Sequence, residues 1–285
     1  MDHASTPRRS AARALLGLAL LAWLGPSGCT KFASDLDTSP DGPGPGMQTL
    51  ELDPGDWSCV SEEAGNPVMN PNGAPLEYHM EARDYLTGLT PANLRVRACF
   101  RPDVACMRPA TDWLTPDGAG VVTLPLNVGF SGYLEIEGDD EVPTLFVFPA
   151  ALNLELVQAL EAVPVSLLPP AALFAFGEAA KLELDPGAGI ISINTFDCVG
   201  PAAPGVRVEL NAAAVPFSFV DGLPIAFEDT TTDDGAAGFA NVLPGLVVVK
   251  GFRAGTQDLI GLEAVLVRAS SVTVTALMPQ FTGTP

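Results

Sequence analysis

Histidine is scarce in this chain: there are two in 285 residues, His3 and His79. No Cys-x-x-Cys spacing occurs, so the usual ligand set for zinc is missing. A Ser-His-Asp, Cys-His or His-Glu-x-x-His centre would have to be built around a single imidazole. Gly-x-Ser-x-Gly, a Walker loop and a dinucleotide fingerprint are also missing, and the sequence calls for no cofactor and no metal. Basic residues are few, 14 Lys and Arg against 34 Asp and Glu, for a net charge of −20. That balance repels polyphosphate backbones, which excludes a DNA or RNA partner. Aromatic residues make up 7% of the chain, yet hydrophobic residues reach 47%. Packed aliphatic cores are therefore expected, not a disordered acidic tail.

The N-terminus carries Arg8, Arg9 and Arg13, then the apolar run Ala14 to Leu24, then Ser27, Gly28 and Cys29. Eleven apolar residues fall short of the roughly 20 needed to cross a bilayer as a helix. A basic head, a short apolar segment and small residues before a cysteine form an export signal. The stretch resembles a bacterial lipobox, with Pro26 where that motif usually has Leu. The resemblance implies removal of residues 1–28, a palmitate-type lipid on Cys29, and a membrane as partner through that lipid. Thr30 following the cysteine resembles the outer-membrane sorting pattern of Gram-negative lipoproteins. Residues 29–47, with Asp-Gly-Pro-Gly-Pro-Gly at 41–46, read as a tether that breaks both helix and strand.

Beyond the tether, short alternating runs separated by Pro, Gly, Asn and Asp indicate an all-β fold. Tyr78, Met80 and Ala82 alternate with Glu77, His79, Glu81 and Arg83; Leu94, Val96 and Ala98 alternate with Arg95 and Arg97. Ile191, Ile193 and Thr195 alternate with Ser192 and Asn194, and Val206, Val208 and Leu210 with Arg207 and Glu209. Two tandem antiparallel β-sandwiches are expected, at 48–149 and 182–285. The Ala- and Leu-rich stretch 150–181 reads as a connector, with a short helix over Pro170–Ala180 that packs through Leu173, Phe174 and Phe176. The halves look like copies of one plan, pairing Trp57–Cys59 with Phe196–Cys198, Leu94–Arg97 with Val206–Glu209, and the Asp117-Gly118 turn with Asp234-Gly235.

Residues 201–208 (PAAPGVRV), 230–239 (TTTDDGAAGF) and 241–249 (NVLPGLVVV) resemble a carboxypeptidase regulatory-like domain. That family has a transthyretin-like β-sandwich and is usually not catalytic, so the resemblance, over about 190–278, implies architecture more than activity. Asp234-Gly235 is read as a turn, Gly taking positive φ and Asp bonding its own backbone.

With Cys29 assigned to lipid, Cys59, Cys99, Cys106 and Cys198 admit three complete pairings. A Cys99–Cys106 bridge, clamping a hairpin tip, is favoured; Cys59 with Cys99 or Cys106 is the competitor. Cys198 would then be buried or unpaired. His79, on the charged face of its strand, reads as a solvated surface residue.

These residues favour a non-catalytic lipid-anchored envelope protein on the outer membrane, acting as a structural or interaction module with an envelope-protein partner. A glycan- or small-ligand-binding module, using Trp113 and Tyr133, is the alternative. A third reading is an acid-based hydrolase using the cluster Asp139-Asp140-Glu141.

Overall fold

The computed structural model describes residues 55–57, 73–152, 162–198, 202–220 and 222–279. Cys29, the export signal, the tether and Cys59 lie outside the described residues.

The first half contains β1 (Pro75–Asp84), β2 (Arg95–Phe100), β3 (Val121–Asn127), β4 (Gly132–Glu137), β5 (Thr144–Val147) and β6 (Val163–Leu167). Helix α1 (Pro170–Ala180) follows. The second half contains β7 (Gly189–Thr195), β8 (Val206–Leu210), β9 (Val215–Val220), β10 (Leu223–Ala226), β11 (Ala236–Val242), β12 (Gly245–Arg253), β13 (Leu259–Val267) and β14 (Val272–Leu277). The fold is all-β sandwich, as the alternation predicts.

The halves repeat one strand order. In the first, β1 runs antiparallel to β3 and parallel to β6, while β2, β4 and β5 form an antiparallel run. In the second, β7 runs antiparallel to β11 and parallel to β14, while β8, β12 and β13 form the matching run. The β9–β10 hairpin is extra to the second half. Of the three sequence correspondences, the β2–β8 match and the turns before β3 and β11 fall at equivalent places. The cysteine-containing pair does not: Phe196–Cys198 follows the first strand of its half, whereas Trp57 precedes β1.

The sandwiches are joined edge to edge. Strand β5 pairs in parallel with β14, Val272 opposite Thr144 and Val274 opposite Phe146. This makes one eight-stranded sheet ordered β10-β9-β11-β7-β14-β5-β4-β2. Because side chains alternate across a strand, the sheet presents two faces. Ala98, Leu134, Phe146, Val274 and Phe217 share one face and pack with β3-β1-β6. Cys99, Tyr133, Leu145, Ile191 and Ile193 share the other and pack with β13-β12-β8. Lying mid-sheet, β14 is buried at all six positions.

Two local expectations change. Strand β6 lies inside the stretch read as connector; its Val-Pro-Val-Ser-Leu is short and contains Pro164, a residue tolerated on an edge strand. Helix α1 occupies the predicted span, with Pro170 in its first turn and Lys181 ending it in left-handed geometry. Leu173 and Phe176 pack, but Phe174 is 70% exposed, because it sits about 100° round the helix from Leu173.

Candidate functional site

The residues singled out for binding lie on the sheet face that meets β13-β12-β8. Cross-strand register puts Arg95 opposite Glu137, Arg97 opposite Glu135 and Cys99 opposite Tyr133. Arg95 Nε donates to Glu137 Oε2 at 2.9 Å and Arg97 Nε to Glu135 Oε2 at 2.5 Å. Both guanidiniums lie 4.5 Å from the Trp113 ring centroid. The tryptophan is therefore engaged by cation–π contacts within its own sandwich. Tyr133 is 2% exposed, and its hydroxyl donates to the Asp103 carbonyl at 2.7 Å. Burial pushes its phenol up to about 12. Tyr133 is thus buried against the seam, and Trp113 is half-buried beneath the two guanidiniums.

The same region ties the halves together. Glu135, 2% exposed, also accepts from Arg268 of the second half, and Glu263, 4% exposed, accepts from Arg101 of the first. Arg268 donates further to the Val104 carbonyl at 3.2 Å, and Arg101 to the Phe148 carbonyl. Burial pushes Glu263 up to about 7 despite the opposing Arg101 charge. Arg97 joins this ion-pair seam through Glu135, while the Arg95–Glu137 pair stays exposed beside it. Its signal was the Arg-x-Arg of β2 opposite the Glu-x-Glu of β4, which only the register reveals.

Cys99 and Cys106 form the favoured disulfide, with Cα atoms 5.4 Å apart. The bridge closes a turn, after which the chain doubles back so that Leu114 bridges Val96. Glu135 lies beside both sulfurs. Sulfurs spent on a disulfide offer no thiolate to a metal, so this trio is a poor cation site. Cys198, expected to be buried or unpaired, is itself disulfide-bonded, with its partner outside the described residues. Its N–H donates to the Asp56 carbonyl at 2.8 Å, and the Asp56 N–H to Asp197 Oδ2 at 2.9 Å.

The acidic cluster divides. Asp139 accepts from Asn93 Nδ2 at 2.5 Å. Glu141 is hydrogen-bonded to Asp84, and burial, reinforced by the Asp84 charge, pushes it from the ordinary 4.5 up to about 7. Burial also raises Asp84, but hydrogen bonds from Thr87 outweigh it and hold that carboxyl low. His79 is on the exposed face of β1, with Nδ1 3.0 Å from Thr123 Oγ1.

Turn residues also sort out. Gly235 has φ of 58°, as its turn requires. Asp234 does not bond its own turn; its Oδ2 accepts from the Gly222 N–H at 3.0 Å, tying the turn to the β9–β10 hairpin. Asp117 does cap its own turn, accepting from the N–H groups of Ala119 and Val121 at 2.8 and 3.0 Å.

An apolar cavity lies elsewhere, on the opposite sheet face. It encloses about 390 Å³ between α1, β6 and the shared sheet. Phe146, Phe217, Phe219 and Val274 line its sheet side and Ala172, Ala175 and Phe176 its helix side. Phe176 stacks edge-on against Phe217, with ring centroids 4.9 Å apart. Ser192 and Asn194, the polar positions in the alternation of β7, line the cavity. Nothing in a strand's alternation distinguishes solvent from a cavity roofed by a helix distant in sequence.

No protein-family model matches the chain, and no curated protein sequence matches it. Among solved structures, the Bacillus anthracis TIE protein aligns at 12% identity over 73% of this chain and 34% of its own, with a TM-score of 0.25. This chain thus spans about a third of that protein's length. The minor pilin of Streptococcus agalactiae aligns at 12% identity over 73% of this chain and 97% of its own, with a TM-score of 0.25. A streptococcal ancillary pilin aligns at 10% identity over 73% and 69%, with a TM-score of 0.22. The architecture described above rests on the strand pairings themselves.

Proposed function

We propose that this chain is a non-catalytic cell-envelope protein, lipid-anchored at Cys29 on the outer membrane, whose joined sandwiches act as a structural or interaction module. The observation that carries the reading is the parallel β5–β14 pairing, which joins one sheet of each repeat into a single eight-stranded sheet. A buried ion-pair seam, Arg101 with Glu263 and Arg268 with Glu135, reinforces the join. Such a body holds its ends at a fixed separation, which suits spacing or presentation better than chemistry. The repeated strand order also supports kinship with carboxypeptidase regulatory-like, transthyretin-like domains, beyond the residues that carry that resemblance.

The strongly acidic surface keeps such a body soluble and away from anionic lipid headgroups, so that its attachment falls to the anchor. Mass spectrometry of the mature protein from isolated membranes tests the address: an N-terminal, lipid-bearing Cys29 is expected, and an unlipidated N-terminus elsewhere overturns it. Crosslinking in intact cells tests the role. A recurrent envelope-protein partner is expected; recovery of the protein with glycan alone would replace the module by a glycan receptor.

A further inference from the structure

We propose that the cavity under α1 is a binding site for a neutral, mainly apolar small molecule carrying one hydrogen-bonding group. Its volume, about 390 Å³, lies within the range of small-molecule pockets. The space exists because short side chains face one another across it. Ala172, Ala175 and Ala179 recur at helical spacing on the roof, while Ser192, Asn194 and Ala276 line the sheet. Neither set is long enough to meet the other. Ala175 and Ala179 are exposed, so the space opens to solvent along the helix, and an apolar occupant gains by displacing water from its apolar walls.

The wall chemistry specifies that occupant. Aromatic and aliphatic groups dominate, led by Phe146, Phe176, Phe217 and Val274, and among the described residues no Asp, Glu, Lys or Arg lines the cavity. An ionised carboxylate or phosphate would lose its hydration there without gaining a counter-charge. The floor is nonetheless polar at two adjacent positions of one strand face. The side chains of Ser192 and Asn194 make no hydrogen bond among the described residues and are half-buried at the cavity surface. A hydroxyl and a carboxamide together accept from and donate to an alcohol, a carbonyl or an amide. Thr275 also borders the cavity and its Oγ1 is unpartnered, but β14 register places that side chain with Ile193 and Leu277 on the opposite face, so it is not part of the site. At the mouth, Leu86 and Leu223 are 52% and 44% exposed, an apolar approach for the ligand.

The test uses the full chain carrying Cys29→Ser, so that no attached lipid supplies another apolar phase. N-phenyl-1-naphthylamine, a neutral apolar fluorophore with one N–H, is titrated against it. Saturable binding of one probe per chain is expected, with dodecan-1-ol displacing the probe at least about tenfold more effectively than dodecanoate at pH 8, since one displaced hydrogen bond or an unpaired charge is worth a decade or more. Ala172→Phe, which fills the cavity from the roof, is expected to weaken probe binding about tenfold or more while keeping or raising Tm. A fall in Tm would mean that the position was already packed and would overturn the cavity. Ser192→Ala with Asn194→Leu, made in one chain, tests the polar floor without filling from the roof. It is expected to weaken dodecan-1-ol about tenfold and the probe less. Non-saturable probe uptake, equal displacement by alcohol and carboxylate, or a double variant that binds dodecan-1-ol unchanged would each overturn the proposal.

Discussion

At residue scale, burial works against charge at two glutamates. Glu141 and Glu263 both titrate near 7 in the folded chain, raised from the ordinary 4.5, chiefly because burial disfavours the carboxylate. The consequence for stability has a definite sign. Below 4.5 both groups are protonated folded or unfolded; between 4.5 and about 7 the folded state holds protons that the unfolded state has released. Stability therefore falls as pH rises through that window and levels off above it. Thermal melts from pH 4.5 to 8 should show Tm declining to a plateau, and Glu141→Gln should flatten part of the decline. A Tm that climbs through the window would contradict the assignment. Arg101→Met should be costly for a related reason. It leaves Glu263, 4% exposed, without its counter-ion, and loss of one partner of a buried pair costs about 3 kcal/mol. Chemical denaturation measures that loss directly; Glu263→Gln in the same background should restore part of it.

At element scale, the small pieces depend on close approach and on covalent closure. Gly238 in β11 packs so tightly that an added Cβ would lie 2.1 Å from the Ile191 carbonyl oxygen and 2.4 Å from the Phe217 ring. Gly238→Ala should therefore destabilise by about 2 kcal/mol, as overpacking does, read as a lowered denaturation midpoint. The Cys99–Cys106 bridge closes a loop at a sequence separation of 7, and in the chain-entropy model it contributes about 2.5 kcal/mol. Cys99→Ser with Cys106→Ser should lower the midpoint by that amount; an unchanged midpoint would show the turn is held by its hydrogen bonds alone. Elements of this kind were largely legible beforehand. Period-2 burial along β1 and the Pro170 start of α1 are local properties, readable from neighbours in sequence. Strand β6 was not legible, since its alternation spans only five residues, one of them Pro164, and its parallel partner in β1 lies 83 residues away, as Met80 opposite Val163 shows.

At the scale of the whole molecule, the join between the halves makes unfolding a shared event. Calorimetry should give one transition for the described body, with Arg101→Met shifting it as a unit; two separated transitions would mean that the sandwiches melt independently. This level was the least visible in the sequence. Two sandwiches in tandem follow from turn spacing, but the β5–β14 pairing is set by which edges meet. Nothing in Thr144–Val147 or Val272–Leu277 states that they are neighbours. The cavity was hidden for the same reason, since its floor and roof come from β7 and α1, each unremarkable alone.

The join has a direction as well as a strength. It brings the fifth strand of one repeat against the last strand of the next, two different edges, so in symmetry terms it is head-to-tail and has no two-fold axis that would close it. A series built by this rule is open at both ends, and β6 occupies at the first repeat the place that β14 occupies at the second. There Pro164 withholds a backbone donor and α1 begins three residues after the strand ends. Growth by further strand addition meets a terminator at that edge, where the proline and the helix that follows keep an unpaired strand from templating a fibre.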